Sequence, residues 1–428
     1  MIGRILRLKI LQNTLIFSGS SIVNRAIPFL LAPIITTYLA PDDYGVVANF
    51  ISLLGVLIVF TGVNTNGILE VQYFRIDKKT FKLLVGNIMI ILISCTVVML
   101  LVMWGFSEWF SDKFELPVQW IITGLLCVVA MFINNVNLSL WQLEKKARSY
   151  ATFTLVETLL NISLSLFFII VWKMTWEGRL LGIAISMLLF GLLSLLLIYF
   201  RGFMTFRFNK LLFTEALAFG LPLIPHNLSG WLRTGVNIVL ITDILGSKQT
   251  GFYNLGSQFA MIVFFIGNGF TMALTPVIYE KLANINPSEN LKLVRINYAF
   301  FGGLILLALA VSAVAPFAIE TFFDERYHPS IPFIPWLSFA FAFFSMYFAV
   351  VTYLFHYKKT VMLSVISTLS GLLNFGICYW LVTTVGAIGA AQASFISFLF
   401  MFLVVLIYAN KLHPLPWFNL KAILNHRN

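Results

Sequence analysis

Twelve stretches of about twenty or more mostly apolar residues follow one another along the chain. They lie near 13–39, 44–68, 81–106, 117–141, 150–172, 178–200, 216–242, 251–278, 293–319, 331–355, 360–383 and 386–409. About twenty apolar residues in a helix are enough to cross the hydrocarbon core of a bilayer. The expected fold is therefore an all-α membrane protein with twelve transmembrane helices. Composition agrees: 60% of the residues are hydrophobic and only 11% are charged, where a soluble domain carries about 25% charged residues. The basic start "MIGRILRLKILQNT" resembles a signal peptide, but the apolar run from Asn13 to Leu39 is too long for one. It reads as an uncleaved first helix.

The distribution of basic residues orients the spans. The N-terminus, every second loop and the C-terminal tail hold 21 of the 28 lysines and arginines, among them Arg75, Lys78, Lys79, Lys82, Arg207 and Lys210. The opposite side holds five: Lys113, Lys173, Arg179, Lys248 and Arg326. By the positive-inside rule both termini are cytoplasmic. The net charge of +11 forms no dense basic face or nucleic-acid module, so nucleic acid is not an expected partner. Cys95, Cys127 and Cys378 show no pairing or metal spacing and read as small core residues. No metal and no cofactor are expected.

All loops are short, leaving no room for an extramembrane catalytic domain, and no GxxxxGK[ST] loop is present. These features speak against an enzyme, an ABC pump and a glycosyltransferase.

The chain also matches itself. "LWQLEKKARSYATFTLVETLLNISLSL" from Leu140 aligns without gaps to "YLFHYKKTVMLSVISTLSGLLNFGICY" from Tyr353, an offset of 213. "YLAPDDYGVVANF" (38–50) aligns with "DILGSKQTGFYNL" (243–255), and "GRLLGIAIS" (178–186) with "GAIGAAQAS" (386–394). The three matches fall in the same order in each half. The expected organisation is two parallel six-helix halves, 1–206 and 207–428, with a substrate site between them.

Several of these segments carry a resemblance. "TYLAPDDYGVVANF" resembles the junction of spans one and two in the multidrug/oligosaccharidyl-lipid/polysaccharide exporter superfamily. "LAFGLPLIPHNLSGWL" with "LGSKQTGFYNLGSQF" is similar to spans seven and eight of its polysaccharide-transport branch. "FFDERYHPSIPFIPWLS" is similar to that branch's G-E-x-Y loop, with Asp324 where glycine is usual. A further departure is Asn237-Ile238, where many members carry an Asp-Arg pair. The resemblance implies a MATE-like, V-shaped bundle with a central cavity. It further implies a Wzx-type flippase that moves undecaprenyl-diphosphate-linked oligosaccharides across a bacterial inner membrane for O-antigen or capsule synthesis. Membrane lipids, a polysaccharide polymerase and a chain-length regulator are the companions it implies. A cation-coupled multidrug exporter of the same superfamily is the rival reading.

Polar residues inside the spans supply the candidate site. Arg25 lies in the middle of the first span, beside Asn24, and an arginine at a helix centre costs roughly 2.5–3.5 kcal/mol on insertion scales. Arg233 lies mid-span in the seventh, and His226, Ser229, Arg233 and Asn237 share one helical face. Arginine offers a fixed, permanently charged fork that suits phosphate oxygens. Arg25, Arg233, His226, Asn237 and Asn24 are therefore the candidate contacts for diphosphate and sugar. Two positive mid-span charges also disfavour a cavity for cationic drugs. Glu157, with Thr154, Asn161 and Ser165 on one face of the fifth span, is the candidate ion-coupling residue. Asn161 and Asn374 read as packing contacts, and Trp104, Trp141 and Trp172 as anchors at the membrane interfaces.

Overall fold

Long apolar segments in lipid must satisfy their own backbone hydrogen bonds, and the chain does so as helices. The structure, a computed structural model, describes residues 2–283 and 287–417; the side chains of 2–15, 18, 21, 25, 283, 287 and 288 also lie outside the described residues. Among the described residues there are fifteen α-helices and no strand. The first group is α1 (Ile2–Tyr38), α2 (Pro41–Phe60), α3 (Gly67–Gln72), α4 (Lys78–Gly105), α5 (Ser107–Phe114), α6 (Val118–Leu143), α7 (Ala147–Leu166) and α8 (Trp176–Phe200). Then come α9 (Lys210–Gly220), α10 (Ile224–Leu245), α11 (Ser247–Ala283), α12 (Pro287–Phe322), α13 (Phe333–His356), α14 (Thr360–Val385) and α15 (Ile388–Leu412).

Eleven helical segments of the described residues are long and apolar enough to cross a membrane, and each falls on an expected span. The twelfth expected span, 13–39, lies in α1, whose apolar part Ile22–Tyr38 runs back into residues with undescribed side chains. The protein is a multi-pass membrane protein.

The chain divides into two compact units, Met1–Leu228 and Ser229–Asn428. The division falls inside α10, because α9 and the break after it pack on α3, α4 and the 61–64 segment of the first unit. In the first unit α6 is the central helix, in contact with α2, α4, α7 and α8. In the second unit α13 holds that place, packed on α11, α12, α14 and α15. Its aromatic residues build much of that core; the Phe344 and Phe398 rings stack at 4.5 Å.

Two of the aligned stretches share one local backbone geometry. α6 ends with Lys145 at φ 60°, and α13 ends with Lys358, 213 residues later, at φ 55°. The Lys146 amide donates to the Trp141 carbonyl at 2.8 Å, and the Lys359 amide donates to the Leu354 carbonyl at 2.8 Å. These are the same six-to-one helix stop, which glycine usually occupies at its left-handed position. Here a lysine fills it twice.

The motifs have local reasons. In "YLAPDDYG", Pro41 takes the first helical position of α2, and the Asp43 carboxylate accepts from the Ala40 amide at 3.2 Å. In "FFDERYHPS", Asp324 has φ −61°, a conformation that does not need glycine. Its carboxylate accepts from the Arg326 amide and from Arg326 Nε at 2.7 Å. The Arg326 guanidinium, foremost among these partners, holds the Asp324 carboxyl below the usual carboxylate range.

Candidate functional site

α10 carries the polar stripe of the second unit. Ser229, Arg233 and Asn237 recur every four residues, so they stack along one face that turns into the unit. Arg233 is only 8% exposed. Its NH1 donates to the Ser367 carbonyl at 2.9 Å and to the hydroxyls of Ser229 and Ser367 at 3.3 Å. Those two hydroxyls share a hydrogen bond of 2.7 Å. Among the described residues of its unit, no carboxylate forms an ion pair with Arg233. The guanidinium is thus aimed by neutral groups and keeps its full charge.

Asn237 does something else. Its amide donates to the Tyr253 hydroxyl at 3.0 Å and to Ser394 Oγ at 2.7 Å, and its carbonyl accepts from Asn374 Nδ2 at 2.8 Å. Both amide hydrogens are spent, which leaves no donor for a ligand. Asn374 also donates to the Leu232 carbonyl and accepts from Ser397, so Asn237 and Asn374 tie α10, α11, α14 and α15 together. His226 is half-buried at the start of α10, in the first unit.

In the first unit, Glu157 on α7 accepts from Asn134 Nδ2 on α6, at 3.1 and 3.0 Å to its two oxygens. The contacts continue as a file. Asn134 accepts from Ser194 at 3.0 Å, Ser194 accepts from Asn137 at 3.3 Å, and Asn137 accepts from Arg201 at 2.8 Å. Arg201 then pairs with Glu144, which also pairs with Lys146 at 3.2 Å. A polar chain therefore runs from the middle of α7 to the ends of α6 and α8. Asn24 on α1 joins the same region, accepting from the Thr158 hydroxyl at 3.2 Å. The side chain of Arg25 lies outside the described residues.

Three readings change here. Asn161 does not merely pack: its carbonyl holds Arg179 NH1 at 2.7 Å, with Ser165 Oγ accepting the same group at 2.6 Å. Arg179 is consequently not a loop charge but a residue of the first turn of α8, with its head against α7. Trp141 is 6% exposed, under the Arg201 guanidinium at 5.4 Å, and is no interfacial anchor; Trp104, 82% exposed, stands on the surface of the bundle. Asn134, Asn137 and Ser194, which the structure links to Glu157, lie outside the candidate residues of the sequence analysis. The run "NNVN" in an apolar span is the signal, since Asn134 and Asn137 are three residues apart and share a face.

Two spans are broken where they meet. The second span loses helical geometry at Thr61–Asn64, where Gly62, Val63 and Asn64 have φ of 69°, 51° and 54°. A left-handed valine is strained, because its branched Cβ crowds the backbone. The seventh span breaks at Leu221–Leu223, where Pro222 and Pro225 withhold two amide donors. Gly220 lies so close to the Val63 carbonyl that an added Cβ would sit 2.0 Å from it, and Asn227 donates to Asn64 at 2.7 Å. Interrupted helices packed on each other in this way are a transporter device. Beside the break is an apolar cavity of about 320 Å³ between Phe60, Val63, Ile91, Cys95, Phe213 and Ile224. It offers no charge for a phosphate.

This helical architecture defines a class: multi-pass membrane proteins with a MATE-like fold. The chain resembles the inward closed structure of the lipid II flippase MurJ, with a TM-score of 0.72 at 13% identity, over 92% of this chain and 87% of that one. It also resembles an inward-facing multidrug resistance MATE family transporter of the MOP superfamily, with a TM-score of 0.69 at 16% identity, over 90% and 94% of the two chains. Within that class residues 10–281 match the family described as polysaccharide biosynthesis protein, and the chain belongs to it. A similar protein is Lsg locus putative protein 1 of Haemophilus influenzae, 23% identical over 291 residues, which are 64% of this chain and 67% of that one.

Proposed function

We propose that the protein is a flippase for undecaprenyl-diphosphate-linked oligosaccharides in a bacterial inner membrane, with both termini cytoplasmic, acting in O-antigen or capsule synthesis. Membership of the polysaccharide biosynthesis family supports the glycan side of this reading. The observation that carries it is Arg233, a buried guanidinium aimed by serines and left with its charge uncompensated within its unit. A diphosphate entering lipid needs such a counter-charge, and charges held in a membrane interior usually mark a substrate path. Arg25 is the second proposed phosphate contact, and Asn24 and His226 are proposed to meet sugar hydroxyls. Asn237 is proposed to serve the site indirectly, by fixing α10. Without a nucleotide loop, the energy comes from a gradient, and Glu157 is the proposed coupling residue. A polymerase and a chain-length regulator are the expected users of the product.

The test is transport in proteoliposomes, read as the arrival of a labelled polyprenyl-diphosphate oligosaccharide on the side exposed to an impermeant lectin. The wild type should deliver it and Arg233→Ala should not, at equal protein levels. Arg233→Lys should recover part of the activity, because a point charge replaces a two-pronged fork. Export of a cationic drug with no movement of the glycolipid would overturn the reading in favour of the multidrug alternative.

A further inference from the structure

We infer that Arg179, held within the first unit, is a further phosphate-binding residue beyond Arg233 and Arg25. The inference deepens the functional reading above and rests on it. Arg179 lies in the first turn of α8, and its NH1 is anchored on α7 by the Asn161 carbonyl at 2.7 Å and by Ser165 Oγ at 2.6 Å. The Ser165 hydroxyl gives its own proton to the Asn161 backbone carbonyl at 2.7 Å, so it meets Arg179 with a lone pair. Gly182 makes the approach possible: an added Cβ there would sit 2.2 Å from Ser165 Oγ.

Both partners are neutral. Among the described residues no carboxylate forms an ion pair with Arg179. Glu177, two residues before Arg179, accepts from the Thr175 hydroxyl at 3.1 Å. NH1 makes the two anchoring bonds, which leaves the donors on Nε and NH2 for a further acceptor. The arrangement repeats that of Arg233, an NH1 fixed on serine and carbonyl oxygens with the charge left over. It is not a duplicated scaffold element, because the internal repeat places Ala387 opposite Arg179. An anion with two or three oxygens in one plane suits the free edge of a fixed guanidinium, and phosphate is such a group.

Binding is measured for the purified full-length protein in nanodiscs of phosphatidylcholine. The probes are inorganic pyrophosphate and a polyprenyl diphosphate, with phosphatidylglycerol nanodiscs as a separate arm. Arg179→Gln should weaken both diphosphates about tenfold or more, the loss expected for one charge-assisted contact. It should also flatten the salt dependence of binding, which a purely structural role would leave unchanged. Arg179→Lys should keep the salt dependence and lose less affinity. Asn161→Ala, which keeps the charge and loosens its aim, should fall between wild type and Arg179→Gln. Affinity and salt dependence equal to wild type in Arg179→Gln overturn the inference, whatever happens to stability. If that variant does not fold, unchanged affinity in both Arg179→Lys and Asn161→Ala overturns it. An effect confined to phosphatidylglycerol overturns it in favour of a headgroup contact. Loss of binding in Arg233→Gln but not in Arg179→Gln sinks this inference alone. A wild-type protein that binds neither diphosphate sinks the functional reading itself.

Discussion

Arg233 and Asn237 stand one turn apart on the same face of α10, yet one keeps its charge unspent and the other has no donor left. Face and spacing alone do not separate such roles, because a side chain's partners come from other helices. Arg179 makes the same point: its acceptors lie 18 and 14 residues back in the chain, across a turn. The Glu157 stripe was legible from its period, but the Asn134, Ser194 and Arg201 file behind it required knowing which helices touch. At the end of the second unit, His413 places its two ring nitrogens 2.9 Å from the Tyr357 hydroxyl and 2.9 Å from Asn290 Oδ1. Burial, with a lesser push from His356, lowers its pKa below the ordinary 6.5. The unfolded chain then binds the proton more readily than the folded one, so this residue costs stability as pH falls through about 6.5 and nothing above it. The apparent melting temperature should be flat above that pH and decline below it. His413→Gln should make the decline shallower; an equal slope in both proteins would refute the assignment.

At the scale of elements, the spans were legible because lipid admits so few solutions: an apolar run of bilayer length is a helix. The helix stops were legible only as a repeat in the sequence. Their left-handed lysines, Lys145 and Lys358, are set by geometry that lysine does not favour. Glycine enters the left-handed region without the Cβ clash, which is worth roughly 1 kcal/mol. Lys145→Gly and Lys358→Gly should each raise the melting temperature modestly, and the two gains should add, since the sites are far apart in sequence and belong to different units. Gly220→Ala should do the reverse. Its new methyl group meets a backbone carbonyl, not a flexible side chain, so the two broken spans have to separate. A loss of about 1–3 kcal/mol in unfolding free energy is expected from such overpacking, whereas Gly230→Ala, with only the tip of Arg233 within 4 Å, serves as the control. Proline and glycine in "AFGLPLIP" announce a weak point in the seventh span. The break in the second span is announced by "TGVNTNG", where Gly62 and Asn64 suit the left-handed region and Val63 does not.

For the whole molecule the open quantity is what drives transport, and Glu157 is where it can be tested. Its carboxylate meets an amide, Asn134, and no arginine or lysine among the described residues of its own unit forms an ion pair with it. That arrangement separates two roles that a buried acid can play. A carboxylate that neutralised a buried arginine would leave that charge stranded when removed, at a cost on the order of 3–5 kcal/mol. A carboxylate that only takes and releases an ion can become an amide with little harm, because Asn134 can turn to meet a glutamine as it meets a glutamate. Glu157→Gln should therefore melt within a few degrees of the wild type. In proteoliposomes it should lose the response of transport to an imposed proton or sodium gradient while still equilibrating the glycolipid down its own gradient. A large drop in melting temperature would place Glu157 in a structural pair. An unchanged gradient response in a stable protein would take the coupling role away from it. The polar file from Asn134 to Arg201 supplies the control: Ser194→Ala breaks the file while keeping the acid. It should leave the gradient response in place and slow its onset.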